Sequence, residues 1–342
     1  MKNLCGNKPS LRRRSDLLAR LQMRLAAGSG PTFGVDDLAC AAASHLGFWA
    51  DEGLDVAWTP VHGGVAAIQA VLDERVDASY GGLGPVLKFG SEGHPVAIIV
   101  SMARSLAQNL VTQERISDVA QLRGAQSRRS SWAIDGFGAL SHHMSCLVVQ
   151  ALKIPEGEID WQAVGPPPER IARLLAGTID VSLIRVEEAI SLNLDRNNRL
   201  HTLLGFAELK KLVPIQPHGV LATKRAYAET HRDELTRLAK GMIRASRALH
   251  DDFEAFRKVY DHHVTVPVPP ELVKGIWQQE HDSGGFAING ELTNAHWRDQ
   301  MALFYELHPA LPRLARQDLI ADDFVAEALA TLGIRSGPDA PD

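Results

Sequence analysis

The sequence has few cysteines, no basic block and no long apolar run, and each shortage removes a class of function. Cys5, Cys40 and Cys146 are odd in number and widely spaced, a pattern that builds neither a disulfide framework nor a CxxC metal knuckle. The formal net charge is -5 at pH 7, and without a basic face nucleic acid is not an expected partner. The exception, Arg12-Arg13-Arg14, sits in a polar arm over residues 1–20 that reads as a solvated, disordered lead-in. No apolar stretch approaches the length needed to span a bilayer. A secretory leader needs an apolar core after its basic start, and here Asp16, Arg20, Gln22 and Arg24 interrupt it. Cys5 follows Leu4 with no such core before it, which argues against a lipoprotein cysteine. As written, the chain is expected in the cytoplasm, and in the periplasm should the native start or the export route differ.

What the chain does contain is a regular alternation of strand and helix patterns over 342 residues, enough for two compact domains or one large one. "LQMRLAA" reads as a first strand, closed by Gly28-Ser29-Gly30-Pro31, and "DDLACAAASHLGFWADEG" as one helix over 36–53. "LDVAWTPV", "DASYGG" and "HPVAIIVSMA" are further strands, with a helix "VAAIQAVLDERV" between the first two. Near-continuous apolar strands separated by helices imply a parallel-rich α/β sheet covered on both faces. A second set of such units runs from "SWAI" to about Glu208, and the chain beyond Ala226 is mostly helical. Two extended segments, "QNLVTQ" and "PIQPHGVLAT", bracket the second set. Two crossings imply two lobes with a hinge and a cleft, where ligands commonly bind. The expected division is lobe I over 21–105 and 214–335, lobe II over 106–213, and a flexible tail over 336–342.

One stretch poses a chemical question. In "SWAIDGFGALSHHMSC" a strand runs into Asp-Gly-Phe-Gly, and a helix then opens with Ala139, Leu140, Ser141, His142 and His143. The first turn of a helix presents unpaired N–H groups and partial positive charge, and glycines let an anion approach them. The alternative is a turn whose glycines serve only backbone geometry.

With these elements placed, the chain resembles a known family, the type 2 periplasmic-binding-protein fold in its sulfonate-, nitrate- and thiamine-precursor-binding branch. The likeness is carried by "HLGFWADEGLDV", "GGVAAIQAVLDERVDASYGGLGPVL", "GHPVAIIVSM", "ISDVAQLRG", "DGFGALSH", "LLAGTIDVSL" and "GVLATKRAYAETHRDELTRLAKG", covering about 21–307. It implies two α/β lobes closing over a small, often anionic ligand, with an ABC transporter permease as partner and no cofactor or metal. Carried over position by position, the resemblance gives cleft residues at strand ends: Gly30, Pro31, Thr32 and Phe33; His62, Gly63 and Gly64; Tyr80, Gly81 and Gly82. From the second lobe it gives Gly136, Gly138, Ala139, Ser141 and His142, with Arg185 and Glu187. Open parallel sheets bind ligands beyond the carboxyl ends of their strands, in agreement. The family also includes cytosolic enzymes, namely thiamine-pyrimidine synthases, aryl-sulfinate desulfinases and aromatic-acid decarboxylases. The synthases carry a cysteine-rich run after the second crossing, where this chain has "PIQPHGVLAT".

Three residues are the candidate catalytic groups. Cys40 could be a thiolate nucleophile at a helix start or a small buried hydrophobe. His142 and His143 point two ways around a helix, so one of them at most faces the cleft, and His142 is the choice. His142 and Cys146 share a face but make only two ligands of a zinc site. His62 precedes two glycines that leave room for a ligand, and Tyr80 precedes two more. Arg185 suits a planar carboxylate or sulfonate. Pro166-Pro167-Pro168 reads as a rigid loop into a helix, and the "DHH" of Asp261, His262 and His263 as surface. Two functions follow: capture of a small anionic or aromatic compound, or lyase or hydrolase chemistry on an aromatic sulfinate or carboxylate.

Overall fold

The computed structural model describes residues 20–28, 33–104, 107–123, 129–195, 199–214 and 219–342. Gly30, Pro31, Thr32 and all but the last residue of the N-terminal arm lie outside them. The strands are β1 (Leu21–Ala27), β2 (Leu54–Pro60), β3 (Ala78–Gly82), β4 (Val96–Ala103), β5 (Gln108–Gln113), β6 (Ser130–Ile134), β7 (Ile159–Ala163), β8 (Val181–Arg185), β9 (Leu200–Leu204) and β10 (Gly219–Lys224). They form two five-stranded sheets, ordered β2-β1-β3-β10-β4 and β7-β6-β8-β5-β9.

Each sheet is parallel except at one place. β10 runs antiparallel to β3 and β4, and β5 antiparallel to β8 and β9. These are the two extended segments that bracket the second sheet in sequence, so the sheets are mixed rather than parallel throughout. A strand that arrives from the other lobe enters its new sheet against the direction set by the local strand–helix units. β4 and β5 are buried at every residue, as expected for strands covered on both faces.

The helices are α1 (Leu38–His45), α2 (Phe48–Asp51), α3 (Gly63–Leu72), α4 (Leu83–Ser91), α5 (Leu140–Ala151), α6 (Pro167–Leu175), α7 (Val186–Leu194), α8 (Phe206–Leu212), α9 (Arg225–Thr230), α10 (Arg232–Asp251), α11 (Phe253–His263), α12 (Pro270–Asp282), α13 (Asn294–Leu307), α14 (Arg316–Leu319) and α15 (Asp322–Leu332). The largest core joins α1, α10, α11 and α15 to the first sheet, and it includes Trp49, Leu238, Met242, Phe256 and Phe324. Trp49 donates its indole N–H to the Leu238 carbonyl at 3.1 Å. Gly241 makes that possible, because a Cβ there would stand 2.4 Å from the indole ring. A second core lies under the other sheet, around Leu110, Trp132, Leu147 and Leu183.

Two expectations are corrected here. Residues 36–53 do not form one helix: a 3-10 turn over Val35–Asp37, α1 and α2 follow one another. Gly47, at φ 80°, takes the left-handed conformation that ends α1, and the chain restarts there. The tail over 336–342 is docked rather than flexible. Asp339 is fully buried, and its carboxylate accepts from the backbone N–H groups of Asn289 and Gly290 at 2.7 and 3.0 Å. The Asp342 carboxylate accepts from Asn294 N–H at 2.8 Å.

Candidate functional site

Between the two sheets lies a cavity of about 310 Å³. It is walled by the places where strands end and helices begin. His62 and Gly63 open α3, Gly82 opens α4, Ala139 and Leu140 open α5, Pro166 and Pro167 open α6, and Arg185 opens α7. Five helix N-termini therefore face one space, and their dipoles add to a positive potential inside it. α6 contributes least to hydrogen bonding, because Pro167 has no N–H. Gly64, Tyr80, Gly81, Gly136 and Ser141 complete much of the wall.

Charged side chains shape the rest. Asp36, Asp37, Asp135, Arg170 and Arg185 all line the cavity. Arg185 lies 3.4 Å from Asp37, with each side chain only 12% exposed. Burial pulls the Arg185 guanidinium down, but Asp37, Glu188, Glu187 and Asp36 outweigh it and hold the group above its ordinary value. Burial and the neighbouring Asp37 push the Asp36 carboxyl up to about 7, although its Oδ1 accepts from Ala107 N–H at 2.6 Å. Tyr80 donates its hydroxyl to the Asp36 carbonyl at 2.7 Å, and burial raises that phenol well above its usual range. Arg170 is 3% exposed. It donates to the Leu183 carbonyl at 2.6 Å and faces Asp135 at 3.5 Å. Ser141 Oγ accepts from Asp135 N–H at 2.8 Å, so its own proton is free to be donated.

The sequence candidates divide clearly. His62, Gly63, Gly64, Tyr80, Gly81, Gly82, Gly136, Ala139, Ser141 and Arg185 line the cavity. Thr32 lies outside the described residues, and, among those described, the other expected residues are not on the cavity wall. Phe33 packs edge-on against Trp58 and His263. Gly138, at φ 79°, shapes the turn behind the wall, and its N–H donates to His142 Nδ1 at 3.2 Å. His142 is thereby turned away from the cavity, between Phe137 and Trp161. His143 is buried instead against Phe304, where burial lowers it to about 4. Glu187 is 1% exposed and accepts from Val35 N–H at 3.3 Å; burial raises it to about 8. Cys40 is fully buried among the alanines of α1, and burial lifts its thiol far above the range of a nucleophile. Burial likewise pushes Cys146 up to about 12.

Asp36, Asp37, Asp135 and Arg170 were missed as cavity residues. Asp36 and Asp37 read as ordinary first-turn acids of a helix, and no local signal singled out Asp135 or Arg170. Only the approach of the second sheet converts them into site groups. Pro166 and Pro167 did carry a signal, a rigid loop at a helix start.

Comparison with known proteins now bears on the fold. A family model described as NMT1/THI5 like matches residues 38–144. None of the curated proteins matches the sequence. Among solved structures, the periplasmic nitrate-binding protein of Synechocystis PCC 6803 superposes with a TM-score of 0.71 at 14% identity, over 92% of this chain and 90% of that one. The alkanesulfonate-binding protein of Xanthomonas axonopodis pv. citri, bound to MOPS, does so with a TM-score of 0.66 at 15% identity, over 89% and 100%. Among the described residues, no helix is long and apolar enough to cross a membrane. The chain has the bilobal type 2 periplasmic-binding-protein fold that its sequence led one to expect.

Proposed function

We propose that this chain is a substrate-binding protein of an ABC import system, capturing a small organic anion in the cavity between its lobes. One observation carries the reading: five helix N-termini line a single cleft. The α5 opening, with Gly136, Ala139 and Ser141, is the cradle for the anionic group, a sulfonate or carboxylate. Asp36 and Asp37 at the other wall suit a hydrogen-bond donor on the ligand, such as the amino group of a thiamine-precursor-like ring. The nitrate- and sulfonate-binding proteins of the same fold support the ligand class. A transporter permease is the partner this reading implies.

The enzyme alternative would need its reactive groups on the cavity wall. Cys40 is enclosed and His142 is turned away, which leaves His62 as the sequence candidate on the cavity wall. Asp36, near 7, is the one added group that could exchange a proton at neutral pH.

The test uses Gly136, which lines the cavity and has nothing within 4 Å of the position of an added Cβ. Mass spectrometry of small molecules retained by the purified protein identifies the ligand, and calorimetry then measures it. Gly136→Leu should abolish binding with little change in melting temperature, because the side chain projects from a cavity-lining position where an added Cβ meets no protein atom. Undiminished binding by the variant would remove the cavity from this account.

A further inference from the structure

Away from the cavity, the last residue of α1 meets the last two of α11. His45, His262 and His263 each offer a ring nitrogen, and these atoms lie within 4.8 Å of one another. The ring centroids of His45 and His262 are 4.6 Å apart, those of His45 and His263 5.2 Å, and those of His262 and His263 4.7 Å. The sequence pattern suggested a surface doublet at His262 and His263; the fold instead adds a third histidine more than two hundred positions earlier in the chain. We propose that these three residues form a binding site for a divalent transition-metal ion, with zinc as the expected occupant.

Three observations support it. First, the distances are near those required. Tetrahedral zinc with bonds of about 2.0–2.1 Å holds its nitrogens roughly 3.3–3.4 Å apart. His262 is exposed and His45 half-buried, so ring rotation can supply the missing ångström. Second, among the described residues His263 Nε2 is a buried nitrogen with no hydrogen-bond partner. Such atoms are costly, and bound ions are one of the things that satisfy them. Third, the donor set is all imidazole, which favours zinc, nickel or copper(II) over magnesium or calcium.

The surroundings define the limits of the site. Lys258, on α11, is the cation that acts on His45, and it opposes metal charge. Phe33 lies edge-on to His263 at 5.5 Å and in turn against Trp58, giving the trio one apolar side. Three ligands leave a coordination position for water or an outside group. The site does not depend on the cavity reading, since none of the three histidines lines the cavity.

The experiment uses the full chain, stripped with chelator and dialysed. Titration with zinc chloride by calorimetry should give one equivalent per chain, and the melting temperature should rise with zinc as linkage requires. Cobalt(II) should give the visible absorption of a low-coordinate, nitrogen-ligated ion. His262→Ala removes an exposed ligand without touching the core and should weaken zinc binding by ~10–100-fold or more. His45→Gln should do the same. The control is His250→Ala, at the other close histidine pair, His250 with His281 at 4.4 Å; zinc affinity should not change. Zinc binding that survives in both His262→Ala and His45→Gln, or no heat of binding in the wild type, would overturn the proposal. So would half an equivalent per chain with a doubled mass, which would mean a bridge between chains.

Discussion

Arg185 and Asp37 face each other at 3.4 Å, one from the end of β8 in the second sheet and the other from the start of α1 on the first. They join the lobes at the wall of the cavity, beside a second link from Val35 N–H to the Glu187 carboxylate at 3.3 Å. A buried pair of this kind adds little compared with an apolar substitute, but removing one member strands the other. Arg185 interacts with all four of Asp36, Asp37, Glu187 and Glu188, and Arg170 also acts on Glu188. Arg185→Met should therefore cost about 3–5 kcal/mol of unfolding free energy. The double variant Asp37→Asn with Arg185→Met should lose less than the two single losses added. Denaturant unfolding of the four proteins in a cycle measures the coupling, and strict additivity would mean that the pair does not act as one.

The same acids make stability depend on pH in an unusual direction. Asp36 is raised from 3.8 to about 7 and Glu187 from 4.5 to about 8, each chiefly by burial. A carboxyl raised in the folded state binds protons that the unfolded chain has already released, so folding is favoured at low pH. Their contribution is complete below about pH 4 and is lost as pH rises through 7 and 8. Between about pH 7 and 8, above the range in which the lowered His143 and His263 act in the opposite sense, the melting temperature should fall, with a slope of up to ~1.4 kcal/mol per pH unit for each proton. Asp36→Asn, which mimics the protonated form, should flatten the profile. A melting temperature that climbs over that range would contradict the buried, protonated state of these groups.

Gly34 offers a purely steric lever on the same contact. Its φ of −107° is open to any residue, yet an added Cβ would meet Arg185 Cδ and Glu187 Oε1, both at 2.7 Å. Gly34→Ala should therefore push the lobes apart without straining its own backbone. Small-angle scattering should report a larger radius of gyration than wild type, and the melting temperature should fall. An unchanged scattering profile would show that both side chains can retreat without moving the lobes.

How much of this could be read from residues alone follows from the range of the forces involved. Strand and helix alternation depends on neighbours a few positions apart, so β4, β5 and α3 were legible, as was the cavity-facing run from His62 to Gly64. The interruption at Gly47 was legible only in part, because a glycine near a helix end marks a stop as readily as an interior flaw. His142 was placed wrongly because its orientation depends on a hydrogen bond from Gly138 and on Trp161, a residue nineteen positions away. Asp339 was placed wrongly because polar, proline-bearing tails carry no local sign of a partner such as Asn289. Asp37 and Arg185 stand 148 positions apart in the chain, and no local pattern pairs them.

The last prediction separates capture from chemistry, and it rests on Cys40. A nucleophilic thiol needs exposure and a lowered pKa. Cys40 is fully enclosed by the alanines of α1, with its thiol raised by burial and by Asp37. It should react with a thiol reagent in the native protein far more slowly than in denaturant. Cys40→Ala removes a small buried group and should cost only about 1 kcal/mol of stability, leaving ligand affinity where it was. Under a purely binding role, sulfonates, sulfinates and aromatic carboxylates incubated with the protein should be recovered unaltered, and His62→Ala should change affinity alone. Turnover of any one of these compounds, lost in His62→Ala or Asp36→Asn, would replace the binding protein with an enzyme whose proton-exchanging groups line this same cavity.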